Sequence, residues 1–291
     1  MDDKRFVENF EKKVKKTILE HKLFTKKEKV FVATSGGKDS MTILYLLNKF
    51  GYNVESFIID LAIGSYSKNN LENVKTFCNE LNVKLNIVDL RKEFGGSMCF
   101  FRSAIQKKFD LSNCMICGII KKWLLNKRAR EFGANKLVTG HNLDDEAETV
   151  FMNILKGNVT ISLGLGPETG IIKDEKFVPR IKPLYWHLNR DVERYSRIKG
   201  FPVVYGKCPC AVRIFRGEIR DKLEELEKTY PDIKENLVKG FLKMLPAIRG
   251  KNKTLEKLKY CKTCGEPSRN EECKMCRLFK VINRGGKNAS C

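Results

Sequence analysis

The first 155 residues alternate in a way that leaves few folds open. Short β-rich runs occur at KEKVFVAT (27–34), NVESFIID (53–60), KLNIVDL (84–90) and NKLVTG (135–140). Between and after them, apolar residues recur at helical spacing. SMTILYLLNKF (40–50) is apolar nearly all round and predicts a buried helix; LENVKTFCNEL (71–81) carries a helical stripe; residues 118–132 predict a basic helix. In LDDEAETVFMNIL (143–155), Leu143, Ala147, Val150, Phe151 and Ile154 share one face. Strands alternating with helices predict an α/β fold: a Rossmann-like parallel sheet with helices on both faces. Ligands of such sheets sit beyond the carboxyl ends of the strands. Ahead of the first strand, Phe6, Phe10, Val14 and Ile18 line one face of a lysine-rich helix. A further strand is expected at FPVVY (201–205), helix over 216–248, and a change of character over 259–291, where cysteines, glycines and basic residues gather. The expected division is a basic N-terminal helix (1–24), a catalytic domain (25–215), a helical segment (216–258) and a C-terminal zinc module (259–291).

ATSGGKDS (33–40) links the first strand to the buried helix. Ser35, Gly36, Gly37 and Ser40 leave backbone N–H groups free to face an anion, the helix N-terminus adds partial positive charge, and Lys38 adds a full one. A Walker A loop would need Gly at position 32 and Ser or Thr at 39; Val32 and Asp39 stand there. A second motif, TGHNLDDEAET (139–149), ends the fourth strand. Gly140 permits close approach of backbone to a ligand, and Asp144 and Asp145 stand where carboxylates cap a helix. His141 is one of only three histidines.

Eleven cysteines in a chain whose first residues, MDDKRFVENFEKK, carry no hydrophobic signal region argue for metal or catalytic chemistry in a reducing, cytoplasmic setting. Cys261, Cys264, Cys273 and Cys276 form two CxxC knuckles suited to tetrahedral Zn²⁺, and a short tail with little core needs such a staple. Cys78 sits on an apolar stripe; Cys99 and Cys291 carry no signal. Cys114 and Cys117 in NCMICGIIKK (113–122) and Cys208 and Cys210 in KCPC remain. A redox dithiol lacks its thioredoxin-like context. A zinc site completed by Cys210 and an iron–sulfur cluster held by three thiolates both stay open. The CxxC lies at a predicted helix N-terminus, where the dipole favours thiolate. In an extended segment, Cys210 and Cys208 would point the same way.

The chain has 56 Lys+Arg against 35 Asp+Glu, a formal charge of +21. A small-molecule enzyme has no need of this excess; a polyanion, nucleic acid first, explains it. No run of about 18 apolar residues exists to span a membrane.

The order SGGKDS, CxxCGxxK, TGHNLDDEAET, CPxA with RGEIRDKLEELE, then the double knuckle resembles the tRNA 2-thiouridine synthetase family of the ATP-pyrophosphatase (PP-loop) superfamily, over residues 10–280. A cytidine thiolase of the anticodon loop is a cousin. The resemblance implies a PP-loop fold and ATP-dependent tRNA thiolation, adenylating a uridine C2 oxygen and replacing it with sulfur. It implies ATP contacts at Ala33, the loop Ser35–Ser40, Ile59, Lys121 and Gly140, and Mg²⁺ near Asp39. It also implies a 4Fe–4S cluster on Cys114, Cys117 and Cys208, with Lys38, Lys121 and Asp145 in catalysis. The implied partners are tRNA and a sulfur donor (sulfide or a sulfur-carrier protein), with no membrane; a homodimer is compatible. Two departures stand out. The family commonly opens with a Cys/His zinc module where this chain has the basic helix, and carries Tyr after CP where this chain has Cys210. Alternatives are a 2-thiocytidine synthase or lysidine-type ligase, or, in another class, a non-catalytic RNA-binding zinc protein. CMIC and CPC count against lysidine ligation, which needs no cysteine. The intact loop counts against an idle protein.

Overall fold

A computed structural model describes residues 2–170, 174–206, 208–211, 215–251 and 259–285. Cys291 lies outside them. The elements run α1 (Asp3–Glu20), β1 (Val30–Thr34), α2 (Lys38–Lys49), β2 (Val54–Asp60), α3 (Gly64–Glu80), β3 (Leu85–Asp89), α4 (Leu90–Phe94) and α5 (Met98–Gln106). Then come α6 (Asn113–Glu131), β4 (Lys136–Val138), α7 (Leu143–Leu155), α8 (Val159–Ser162), β5 (Glu168–Thr169), β6 (Arg180–Ile181) and α9 (Asn189–Ile198). Last are α10 (Phe215–Thr229), α11 (Ile233–Lys251), β7 (Lys259–Tyr260), β8 (Pro267–Ser268) and α12 (Lys274–Gly285).

The main sheet has the order β3-β2-β1-β4-β6-β5, parallel except for β5, which pairs antiparallel with β6. β1 is central, and its side chains alternate between two cores. Val30 and Val32 join α1, α2 and α9 through Phe10, Val14, Ile18, Leu44 and Tyr195. Phe31 faces the opposite core, built with α5, α6 and α12 through Phe101, Ile116, Ile120, Leu124 and Leu278. This is the two-faced burial that parallel strands require. Burying Phe10, Val14 and Ile18 contributes roughly 1.5–3 kcal/mol each as an upper figure, enough to dock α1 firmly. Among the described residues, no helix is long and apolar enough to cross a membrane.

Two local expectations are corrected, and two short helices are added. FPVVY forms no strand: Pro202 lacks an N–H, the Phe201 N–H closes α9 on Ser196, and the Val203 N–H turns back to Phe201. The helical region 216–248 is two helices, α10 and α11, broken around Pro231. Helices α4 and α5 begin at Asp89 and Ser97, whose side chains accept from Arg91 N–H and Phe100 N–H. Those N-cap residues are legible in the sequence.

Candidate active site

At the carboxyl end of β1 the chain folds into a tight anion cradle. The Ser35 N–H donates to Ser40 Oγ at 3.1 Å, and Ser40 Oγ donates to the Gly37 carbonyl at 3.0 Å. Gly36 has φ +78°, and a Cβ there would meet the Asn70 side chain at 2.6 Å, so both conformation and space demand glycine. Gly37 caps α2 without a side chain, which leaves first-turn N–H groups of α2 for a ligand. Lys38 Nζ lies 2.9 Å from the Asp39 carboxylate and 2.5 Å from Asn189 Oδ1. Ala33 and Ile59 end neighbouring strands on the same edge, half-buried.

The second motif is locked onto this loop. A Cβ at Gly140 would stand 2.8 Å from the Asp39 carbonyl carbon and the Ser40 nitrogen. Asn142 Nδ2 donates to Asp39 Oδ1 at 2.9 Å. The helix cap is Asn142 and not the aspartates: its side chain accepts from the Asp145 N–H at 3.2 Å, and Asp145 completes a capping box. Each carboxylate of the motif then meets a distant cation. Asp144 pairs with Lys234 at 2.6 Å, Asp145 with Arg216 at 3.2 Å, Glu146 with Lys182 at 2.6 Å, and buried Glu148 with Arg216 at 2.6 Å and Arg220 at 2.5 Å. Burial raises the Glu146 pKa even against the pull of Lys182. The motif therefore also clamps α10 and α11. The sequence signal for this was Arg216 and Arg220, one turn apart.

The CxxC opens α6 behind the N-cap Ser112. Cys114, Cys117 and Cys208 are half-buried neighbours: the Cys117 thiol feels both other sulfurs, together with the cations Lys121 and Arg102. The helix N-terminus is expected to favour thiolate, but at Cys117 burial acts the other way. Burial dominates and raises its pKa, with Lys121 and Arg102 opposing. Cys99 and Cys210, unassigned from sequence, both accept from the Arg102 guanidinium, at 3.1 and 2.8 Å.

One helix joins the cysteines to the cradle. On α3, Asn70 fills the space against Gly36, and Tyr66, one turn earlier, lies near enough to Asn70, Cys208 and Cys117 for each to act on its hydroxyl. Burial, then Cys208, raises the Tyr66 pKa. Neither residue was singled out from sequence, although their i, i+4 spacing puts them on one face.

The Cys261, Cys264, Cys273 and Cys276 sulfurs lie within 4.8 Å of one another, and Cys264 Sγ stands 3.8 Å from Cys273 Sγ. Tetrahedral Zn–S bonds of about 2.3 Å place sulfurs at about that separation. Among the described residues this is the only group of three or more ligands so close. Burial, then the crowding sulfurs, holds the Cys273 pKa up at about 11, while N–H donors outweigh burial and lower Cys261 to about 6. Such a set cannot fully ionise without a cation, so it fits a dication. The core triad is spread more widely, as suits a cubane that takes each thiolate on a different iron, and the cations Lys121 and Arg102 act on Cys117. The knuckle docks through Arg130, which grips Glu266, and Lys176 Nζ, which donates to the Gly265 carbonyl at 2.9 Å.

Between knuckle and sheet lies a cluster of cations. Arg180 donates to the Lys122 carbonyl at 3.0 Å, and Lys274 and Arg216 approach from α12 and α10. Lys122 stays open to solvent although protein surrounds it; burial, then Arg180, Lys274 and Arg216, lowers its pKa. His141, open to solvent yet closely surrounded by protein, shares the surroundings; desolvation, then Lys182, Arg216, Arg180 and Lys122, lowers its pKa. Among the described residues, Lys122, Arg180 and Lys274 form no ion pair, so their mutual repulsion awaits an anion.

A parallel sheet with an uncapped glycine cradle at its central strand and a second motif pressed against it defines a nucleotide-type PP-loop protein. Residues 6–227 match the PP-loop domain family, and the chain belongs to it. Within that family its relatives are tRNA 2-thiolation proteins. It is 36% identical over 284 residues to the tRNA-5-methyluridine(54) 2-sulfurtransferase of Pyrococcus horikoshii, covering 97% of this chain and 89% of that one. It is 33% identical over 287 residues to the cytoplasmic tRNA 2-thiolation protein 1 of Caenorhabditis elegans, covering 96% and 74%. Among solved structures, the U34-tRNA thiolase NcsA from Methanococcus maripaludis with its 4Fe–4S cluster matches with a TM-score of 0.79 at 29% identity, over 95% of this chain and 88% of that one.

Proposed function

We propose that the chain is an ATP-dependent tRNA thiolase that replaces a uridine C2 oxygen with sulfur. The observation that carries this reading is α3: within one turn it sets Asn70 against the phosphate cradle and Tyr66 within electrostatic reach of Cys208 and Cys117. This supports an activation site and a sulfur site at one edge of the sheet. Uridine is supported by the relatives from Pyrococcus and Methanococcus, whose names both specify a uridine.

Uracil O2 is a poor leaving group. Its attack on the α-phosphorus of ATP breaks the bond to pyrophosphate and leaves O2 esterified to AMP; sulfide attack at C2 then forms the C–S bond as the C2–O bond breaks and AMP leaves with that oxygen. Ser35, Gly36, Gly37, Lys38 and Ser40 would hold the pyrophosphate, with Mg²⁺ beside Asp39 sharing its charge. Ala33, Ile59 and Gly140 would flank the nucleoside. Lys121 would offset charge at the α-phosphate or the activated base, and Asp145, already oriented by Asn142 and Arg216, would guide a proton. Cys114, Cys117 and Cys208 would hold a 4Fe–4S cluster, which would supply a site for sulfide from the donor. Zn²⁺ on the knuckle would fix α12, and the cations of α1, α6, β6 and α12 would meet tRNA phosphates.

The test is an anaerobic reaction of reconstituted protein with tRNA transcript, ATP and sodium sulfide, followed by nucleoside mass spectrometry. A 2-thiouridine species with AMP and pyrophosphate release is expected. Thiocytidine, or tRNA thiolation without ATP cleavage, would overturn the reading.

A further inference from the structure

Arg102 is an anomaly. Its side chain is only 6% exposed, yet among the described residues it makes no ion pair. The half-buried Arg128, Arg130 and Arg216 each find a carboxylate. A buried guanidinium without an anion is costly. Its Nε donates to the Met98 carbonyl at 3.3 Å, and one nitrogen, Nη2, reaches both Cys99 Sγ and Cys210 Sγ.

Cys210 is fixed from three directions. Cys208–Ala211 is a turn closed by the Ala211 N–H donating to the Cys208 carbonyl at 2.9 Å, so the extended geometry that would align Cys210 with Cys208 is absent. Asn113 Nδ2 donates to the Cys210 carbonyl at 3.4 Å. Arg102 holds the sulfur, while Cys208 lies within electrostatic reach of Cys117 and Tyr66.

We propose that Arg102 is a positioning residue for the sulfur site: by holding the Cys210 thiol beside Cys99, it keeps Cys210 off the centre formed by Cys114, Cys117 and Cys208. This rests on the three-thiolate reading above. The need is a matter of effective concentration. A thiol tethered two residues from a ligand competes at roughly millimolar strength, enough to displace scarce sulfide unless it is restrained. A chain with Cys at this position therefore requires a device that holds it aside, and a buried cation with two sulfur acceptors is such a device.

The experiment compares wild type, Arg102→Met, Cys210→Ala and the Arg102→Met/Cys210→Ala double variant, each reconstituted anaerobically. The readout is the change in the electron paramagnetic resonance spectrum of the reduced cluster on titration with sodium sulfide. Wild type and Cys210→Ala should respond alike. Arg102→Met should lose the response or need roughly tenfold more sulfide, because the freed thiol occupies the iron. The double variant should recover it, which also shows that losing Arg102 does not unfold the site. A wild-type response from Arg102→Met overturns the proposal. A double variant as silent as Arg102→Met also overturns it, since Arg102 would then act other than through Cys210. If wild type itself gives no sulfide response, the three-thiolate reading falls and the inference with it. That result is distinct from the other two.

Discussion

The two cysteine sites differ in closure. In the knuckle, four sulfurs lie within 4.8 Å, with Cys261 and Cys273 buried and no cationic side chain needed for a single dication to complete the set. In the core, three thiols are spread beside Lys121 and Arg102, and the fourth nearby thiol, Cys210, accepts from Arg102. A closed site stores folding energy, whereas an open one keeps a position for chemistry. The difference lies less in the cysteines than in the groups beside them.

The sharpest way to break this contrast is to exchange the consequences of losing a ligand. Cys117→Ala or Cys208→Ala should abolish iron binding and thiolation while zinc content and melting temperature hold. Cys261→Ala or Cys276→Ala should lose zinc and cost several kcal/mol of stability, by the measure of structural zinc sites, while iron can still be loaded. Metal analysis and calorimetry read both, and identical phenotypes would erase the distinction. Next in size is Gly140→Ala. The added Cβ meets backbone at 2.8 Å, so the second motif must move off the cradle. Overpacking of about 1–3 kcal/mol predicts ATP binding weakened about 10- to 100-fold, by equilibrium dialysis, with both metals retained. Glu266→Gln should loosen the knuckle without opening its metal site, because Arg130 and Asn126 lose their carboxylate partner. The expected cost is about 1–2 kcal/mol, seen as faster amide exchange over 259–285 and not over β1 or β2. The smallest effect tests the cations between the two sites. If Lys122 touches one tRNA phosphate, Lys122→Ala should reduce the salt slope of tRNA binding by about 0.7–0.9. An unchanged slope would remove Lys122 from the nucleic-acid surface.

What could be read before folding was local. β1 and α2, the SGGKDS loop between them and the CxxC at the start of α6 are each set by neighbours a few residues apart, through hydrophobic period, glycine conformation and helix-end charge. The capping role went to Asn142 in place of the aspartates because one-residue differences at a helix start are settled by backbone geometry. The strand expected at 201–205 failed because β propensity cannot supply a partner edge.

The sequence alone determined the parallel α/β sheet, the phosphate cradle and the two sets of cysteines, since each is written in short-range spacing. Tertiary structure decided what each set faces. Arg102 meets Cys210 across 108 residues, Arg130 meets Glu266 across 136, and Lys38 meets Asn189 across 151. Nothing in local pattern specifies such pairs. They follow from which helix faces the sheet packing brings together, and from the cost of burying a charge or thiol without a partner.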